Sequence, residues 1–270
     1  GSIWQKTKGS MMWRNLIRWS SLLLLVSMLL APAPGSAQDS DEFTLTILHT
    51  NDTHSRIEQA DNGGASCTAE KAAAQACFGG VARRATMLKE LRAGPNPVIL
   101  LDAGDEFQGS LFFVEYKGRE AVQFMQELGY QAMAVGNHEF NKGPAALGEF
   151  VDSVNFPVVS ANMDATREPA LAGKIKPYTI LDVGEQKIGV IGLTTIATPE
   201  KSNPGPNILF EDYATAVKPA IAELEQQGVN KIIVLSHIGY LEDQALAASV
   251  DGIDVIVGGD SHTLLSNTAA

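Results

Sequence analysis

After Trp19 the chain has no tryptophan; Trp4, Trp13 and Trp19 are the only three. Cysteine is nearly absent, with Cys67 and Cys77 the only pair in 270 residues. Two thiols exclude a cysteine-based zinc ribbon or a disulfide framework, and no further zinc ligands lie close by. Outside the cytoplasm a pair ten positions apart is expected to close one local disulfide, the alternative being two unbridged thiols. Positive charge is also short: 20 lysines and arginines face 31 aspartates and glutamates, for a net charge of −11. Four of those bases (Lys6, Lys8, Arg14, Arg18) lie ahead of the first acid, so the remaining chain is more acidic still. Such a body excludes a nucleic-acid backbone as partner. It does not exclude a small phosphorylated substrate, because bound cations would reverse the local field. There is no internal repeat and no apolar run long enough to span a bilayer comfortably.

What is there is globular, with 45% apolar and 19% charged residues, enough for one or two full cores. The N-terminus has the layout of a secretory signal. Arg14 and Arg18 precede an apolar run from Leu22 to Leu30, and small residues follow at Gly35 and Ala37. The expected organisation is a leader over 1–37 and one catalytic domain over 38–270, exported to the periplasm or beyond the cell. An uncleaved anchor is the alternative; after cleavage no stable membrane insertion is expected. Residues ahead of Met11 are left out of the fold.

From Phe43 onward, short β-branched runs alternate with helical patterns. Strands are expected at 44–50, 98–103, 132–135, 158–160, 231–236 and 255–258. Helices are expected at 82–93, 120–128, 144–154, 214–227 and 241–249, with Gly94, Gly129 and Gly228 just past three of them. A hairpin over 178–183 and 187–193, turned at Gly184-Glu185, interrupts the alternation. The class is α/β, with helices packed on largely parallel sheets.

Polar, ligand-type residues gather where the strands end, which is where open α/β sheets collect functional groups. The ends read His49-Thr-Asn-Asp52-Thr-His54, Asp102-Ala-Gly-Asp105, Gly136-Asn137-His138-Glu139-Phe140-Asn141, Ser236-His237 and Gly258-Gly259-Asp260-Ser261-His262. If the segment after the first strand is extended, Asp52 and His54 point to one side. Any one of these groups is ordinary loop chemistry. Together they hold four of the five histidines, and mixed carboxylate, imidazole and amide donors suit first-row divalent metals. Five loops supply enough ligands for two adjacent cations, which can clamp the attacking and leaving oxygens of a displacement at phosphorus.

These motifs resemble the calcineurin-like metallophosphoesterases. The surrounding words ILHTNDTHSR, DAGDEFQGS, VGNHEFNKG and VGGDSHT narrow the resemblance to the 5′-nucleotidase and UDP-sugar hydrolase family, from about Phe43 to the end. The resemblance implies two packed β-sheets flanked by helices, cut short at the C-terminus, with the substrate-gripping second domain missing. It implies metal-dependent hydrolysis of a nucleoside monophosphate by metal-activated water. Asp52, His54 and His262 would hold one cation, Asn137, His237 and Asp260 the other, and Asp105 both. His138 would serve the phosphate, oriented by Asn141. Manganese, zinc, cobalt and iron all suit such donors. Alternatives are a 2′,3′-cyclic phosphodiesterase, a UDP-sugar hydrolase, more remotely a thiosulfate-ester hydrolase, or a binding remnant with little turnover. Oligomeric state is not legible.

Two positions depart from the family pattern: Asp260, where members often carry His, and Asn141, where an Asp usually partners the histidine. His49 is expected to be buried and hydrogen-bonded rather than ligating. Asp102 is expected to be a supporting or turn residue, and Arg83 and Arg84, after Gly79-Gly80, to form a solvated basic face at a helix start, the alternative being an approach to an anion there. Asn162 is placed along the cleft, and adjacency to His138 does not make Glu139 a general base.

Overall fold

In the computed structural model, which describes residues 42–267, the first four expected strands form one parallel sheet. They are β1 (Thr46–Thr50), β2 (Val98–Asp102), β3 (Ala132–Ala134) and β4 (Val158–Val159), hydrogen-bonded in that order. Parallel neighbours need long crossovers. Helices α1 (Val81–Arg92), α2 (Arg119–Leu128) and α3 (Pro144–Ser153) provide them. The leader expected over 1–37 lies outside the described residues.

The second sheet begins with the expected hairpin, β5 (Tyr178–Val183) and β6 (Gln186–Thr194), turned at Gly184 with φ 61°. Strand β6 then pairs in parallel with β7 (Ile232–His237), and β7 with β8 (Val255–Gly258). Between them run α4 (Tyr213–Gln226), capped by the Asp212 carboxylate on Thr215 N at 2.9 Å, and α5 (Tyr240–Ser249). Phe107, Met133, Phe140, Leu147 and Phe150 centre one core, on the first sheet and its helices. Ile191, Leu193, Val217, Leu224 and Val234 centre the other. Burial of such side chains contributes roughly 1.5–3 kcal/mol each.

The two sheets meet through backbone and short side chains. Ala161 N–H donates to Gly192 O at 2.7 Å, and Thr194 Oγ1 donates to Val135 O at 2.7 Å. A Cβ at Gly192 would lie 2.2 Å from Val159 O, so only glycine allows this approach. Asn162 belongs to the same seam: its amide exchanges hydrogen bonds with Thr194 O and N at 2.8 and 2.9 Å, and it is buried there rather than lining the cleft.

Helix and strand limits fall within a few residues of expectation, but short elements were not legible. These are helices Ala69–Ala73, Leu111–Tyr116 and Thr198–Lys201, the 3-10 turn His138–Phe140, and the strand pairs Ala60–Asp61 with Cys77–Phe78 and Met163–Asp164 with Leu209–Phe210. Elements of two to six residues carry too little periodicity to read. Gly129 and Gly228 adopt the left-handed conformation past their helices, whereas Gly94 does not. Cys67 and Cys77 are bridged. Among the described residues no helix is long and apolar enough to cross a membrane.

Candidate metal centre

All seven candidate ligands converge on one end of the two sheets. Asp52 and His54 follow β1, Asp105 follows β2, Asn137 follows β3, His237 ends β7, and Asp260 and His262 follow β8. His262 Nε2 lies 3.2 Å from Asp52 Oδ1 and 3.3 Å from His54 Nε2. His237 Nε2 lies 3.1 Å from Asp105 Oδ2, 3.9 Å from Asp260 Oδ1 and 4.0 Å from Asp52 Oδ1. Three triplets bring donors close enough to share an ion: Asp52, His54 and His262; Asp52, Asp105 and His237; and His54, Asp105 and His138. Asp260 stands outside these triplets. The Asn137 amide is 3.2 Å from it, donating to its carboxylate when the nitrogen is turned that way; ligation needs the oxygen there instead.

The backbone is as unusual as the side chains. Asp52, His54, Asp105, Asp260 and His262 all have positive φ, between 48° and 69°. Non-glycine residues rarely adopt this conformation, and where they cluster the surrounding structure holds them for a purpose. The expectation that Asp52 and His54 lie on an extended segment is therefore corrected. They meet because the chain turns sharply after β1, with Asp52 N–H donating to Gly104 O at 2.8 Å and His54 N–H to Asp105 O at 3.0 Å. Gly136 keeps the loops together: a Cβ there would lie 2.2 Å from Asp105 Oδ1.

The donors are wired so that lone pairs face one another. His237 is buried, and its Nδ1 lies 2.7 Å from Ala103 O, so Nδ1 carries a proton and donates. Its Nε2 makes no hydrogen bond of acceptable geometry, though carboxylate oxygens surround it. His54 repeats the pattern, with Nδ1 on Phe107 O at 3.3 Å and Nε2 turned to His262. Without a cation such an arrangement is repulsive unless protons are taken up. Burial alone would lower the His237 pKa, but Asp105, through its hydrogen bond and its charge, together with the charges of Asp52 and Glu139 outweighs it and pushes the imidazole up to about 9. An orphaned, buried imidazole nitrogen aimed into three carboxylates fits a divalent cation.

Beneath the candidate ligands lies a polar floor, in which Asp102 was expected and the role of Glu139 was not. The buried Glu139 carboxylate turns inward and accepts from Gly136 N at 2.7 Å, Asp105 N at 3.0 Å and Phe107 N at 3.1 Å. Burial, and after it the Asp105 charge, pushes this carboxyl up to about 8. Asp102, wholly buried, accepts from Gly104 N at 2.8 Å and Thr50 Oγ1 at 2.5 Å, which makes it the supporting turn residue expected. Its carboxyl is raised by burial and by Glu106. Arg84 is not solvated as expected: it is half-buried and donates to Tyr130 Oη at 3.1 Å. His49 is exposed on edge strand β1 instead of buried, and is absent from the triplets.

His138 and Asn141 are 2.9 Å apart, Nδ1 to Nδ2. The same amide nitrogen donates to Gln108 Oε1, and Asn141 Oδ1 accepts from Ser202 Oγ at 2.7 Å. With Nδ1 accepting, the His138 proton sits on Nε2, 3.9 Å from Asp105 Oδ2. Ser202 carries no motif signal, and Gln108 lies inside the word DAGDEFQGS without a role that the word assigns to it; only their positions in space reveal the contact with Asn141.

Residues 45–264 match the model of the calcineurin-like phosphoesterase family. The chain is 48% identical to a snake venom 5′-nucleotidase of Gloydius brevicauda over 90% of its own length and 41% of that protein. It is 44% identical to the 5′-nucleotidase of Homo sapiens over 91% of its length and 42% of that protein. Among solved structures, the 5′-nucleotidase precursor of Thermus thermophilus superposes with a TM-score of 0.77 at 47% identity, covering 84% of this chain and 43% of that one. The chain thus spans less than half the length of these relatives.

Proposed function

The chain belongs to the calcineurin-like phosphoesterase family, and from that membership we propose that it hydrolyses nucleotide phosphate esters, 5′-monophosphates first, at a pair of divalent cations. The carrying observation is the buried His237 Nε2, which has no hydrogen-bond partner and faces Asp105 at 3.1 Å. In this reading Asp52, His54 and His262 hold one cation, Asn137, His237 and Asp260 the other, and Asp105 lies between. Cations held there supply Lewis-acid polarisation of a phosphoryl oxygen and a water acidic enough to attack near neutral pH.

The chain's own groups do the rest. Asn141 fixes the His138 tautomer, leaving Nε2–H to donate to a phosphoryl or leaving-group oxygen as charge builds. Glu139 and Asp102 hold the Asp105 loop against β3 and β1. Likeness to 5′-nucleotidases supports the nucleotide. Likeness to a venom protein, and the Cys67–Cys77 bridge, support export into an oxidising compartment.

The test is phosphate release from AMP with manganese, beside a 2′,3′-cyclic nucleotide and a UDP-sugar. AMP is expected to be turned over fastest, and Asp105→Ala to abolish turnover while the circular dichroism stays native. Two bound cations with no turnover of any substrate would instead mean a binding remnant.

A further inference from the structure

Helix Thr198–Lys201 leaves the carboxyl end of β6 and reaches both halves of the site. It is firmly anchored. Thr198 is fully buried, its Oγ1 donates to Thr195 O at 2.6 Å, and Lys201 N–H donates to Ala197 O at 3.0 Å. The next residue, Ser202, holds Asn141 and through it His138. Lys201 itself turns the other way and places its Nζ 2.5 Å from Asp260 Oδ1. That oxygen also lies 3.9 Å from His237 Nε2 and 3.2 Å from the Asn137 amide. A lysine ammonium therefore stands at the rim of the place where Asn137, His237 and Asp260 would meet a cation.

We propose that Lys201 is a tuning residue for that second cation position: its ammonium pairs with Asp260, cancels the charge of that carboxylate, and leaves the second cation held more weakly than the first. The charge logic is simple. Asp52 and Asp105 face the first position with no lysine or arginine paired to them in the ion pairs of the described residues. Asp260 is shared with Lys201, so a divalent ion binding through the same oxygen must repel or displace the ammonium. An Asp–Lys pair presents the same net charge as one neutral imidazole, while keeping an oxygen donor available. Exposed lysine–carboxylate pairs contribute little to stability, so the effect appears in ion binding rather than in folding.

This inference rests on the two-cation reading, and its test separates the two. Manganese titration of the cation-free protein by calorimetry, with electron paramagnetic resonance on the same samples, is expected to show a tight and a weak ion. Lys201→Met is expected to tighten the weak ion about tenfold or more, the direction that removing a like charge at close range requires. It should leave the tight ion unchanged and favour the spin-coupled pair at lower manganese. Lys201→Arg should behave as the parent. In an Asp260→Ala background Lys201→Met should have no effect, because the coupling runs through that carboxylate. Two ions whose affinities Lys201→Met leaves within twofold would overturn the inference alone. So would a Lys201→Met change that appears only in the affinity for inorganic phosphate, since Lys201 would then be an anion contact. No more than one ion per chain in every variant would overturn the two-cation reading itself.

Discussion

His237 Nδ1 lies 2.7 Å from the carbonyl oxygen of Ala103, a residue 134 positions away, just past a strand of the other sheet. That one hydrogen bond joins the end of β7 to the loop after β2. It also decides which imidazole nitrogen is free to face the carboxylates, a choice that would otherwise belong to the solvent.

A first prediction concerns that imidazole in the cation-free protein. With its pKa raised to about 9, largely through Asp105 against the opposing effect of burial, His237 is protonated at pH 7. A cation binding there must expel the proton. Calorimetric titrations in buffers of different ionisation heat should report about one proton released at pH 7 from this group, falling away above pH 9. The sign for stability follows: the pairing contributes fully below the unfolded pKa and is lost as pH rises through about 9. The melting temperature of the cation-free protein should therefore drop over that window, and a flat profile would contradict the assignment.

A second prediction concerns Glu139. It accepts three backbone N–H groups from the loops that carry Asp105 and Asn137. Glu139→Gln replaces one accepting oxygen by a donor and should weaken cation binding by roughly 10- to 100-fold, as loss of supporting hydrogen bonds does at metal sites. Excess manganese should restore part of the turnover. Measured above pH 8, where the carboxylate prevails, unaltered affinity would show that its charge is not needed.

The Asn141–His138 contact makes a third. Replacing the amide by a carboxylate in Asn141→Asp stabilises the imidazolium. The pH optimum of phosphate release should move upward. Phosphate release measured from pH 5 to 10 checks it; an unchanged profile would count against His138 as the proton donor.

The fourth concerns the bridge between Cys67 and Cys77. It closes a loop of ten residues on the short strand pair ahead of α1. Loop entropy of this size is worth roughly 2–3 kcal/mol. The loop is peripheral and its short helix (Ala69–Ala73) buries no residue, so the loss should be local. The Cys67→Ser/Cys77→Ser double variant should be cut faster by trypsin at Lys71 while its rate of phosphate release stays at the parent value. A parallel fall in activity would place this loop in the site.

How much was legible beforehand differs by kind. Every candidate ligand sits at a strand end, and strand ends are local: a β-branched run followed by Asp, His or Asn is visible without any fold. The pairing of the hairpin at Gly184 was visible for the same reason. The conformation of those ends was not. Asp52 and His54 looked extended, yet both are left-handed, because the loop after β1 is shaped by hydrogen bonds to Gly104 and Asp105 some fifty residues on. Arg84 looked like part of a solvated face until Tyr130 was brought against it. His49 looked buried until β1 proved to be a sheet edge.

The amino-acid sequence by itself determined the candidate donors, their order along the chain and the alternation that makes parallel strands end on one side. Only the tertiary structure decided which nitrogen of His237 is free, that Glu139 serves as a clasp, and that Lys201 pairs with Asp260. The physical reason is range. Periodicity and strand-end chemistry act over a few residues, whereas tautomers, charge pairing and backbone strain are set by groups far apart in the chain, which exist as neighbours only once the two sheets have closed on Gly192.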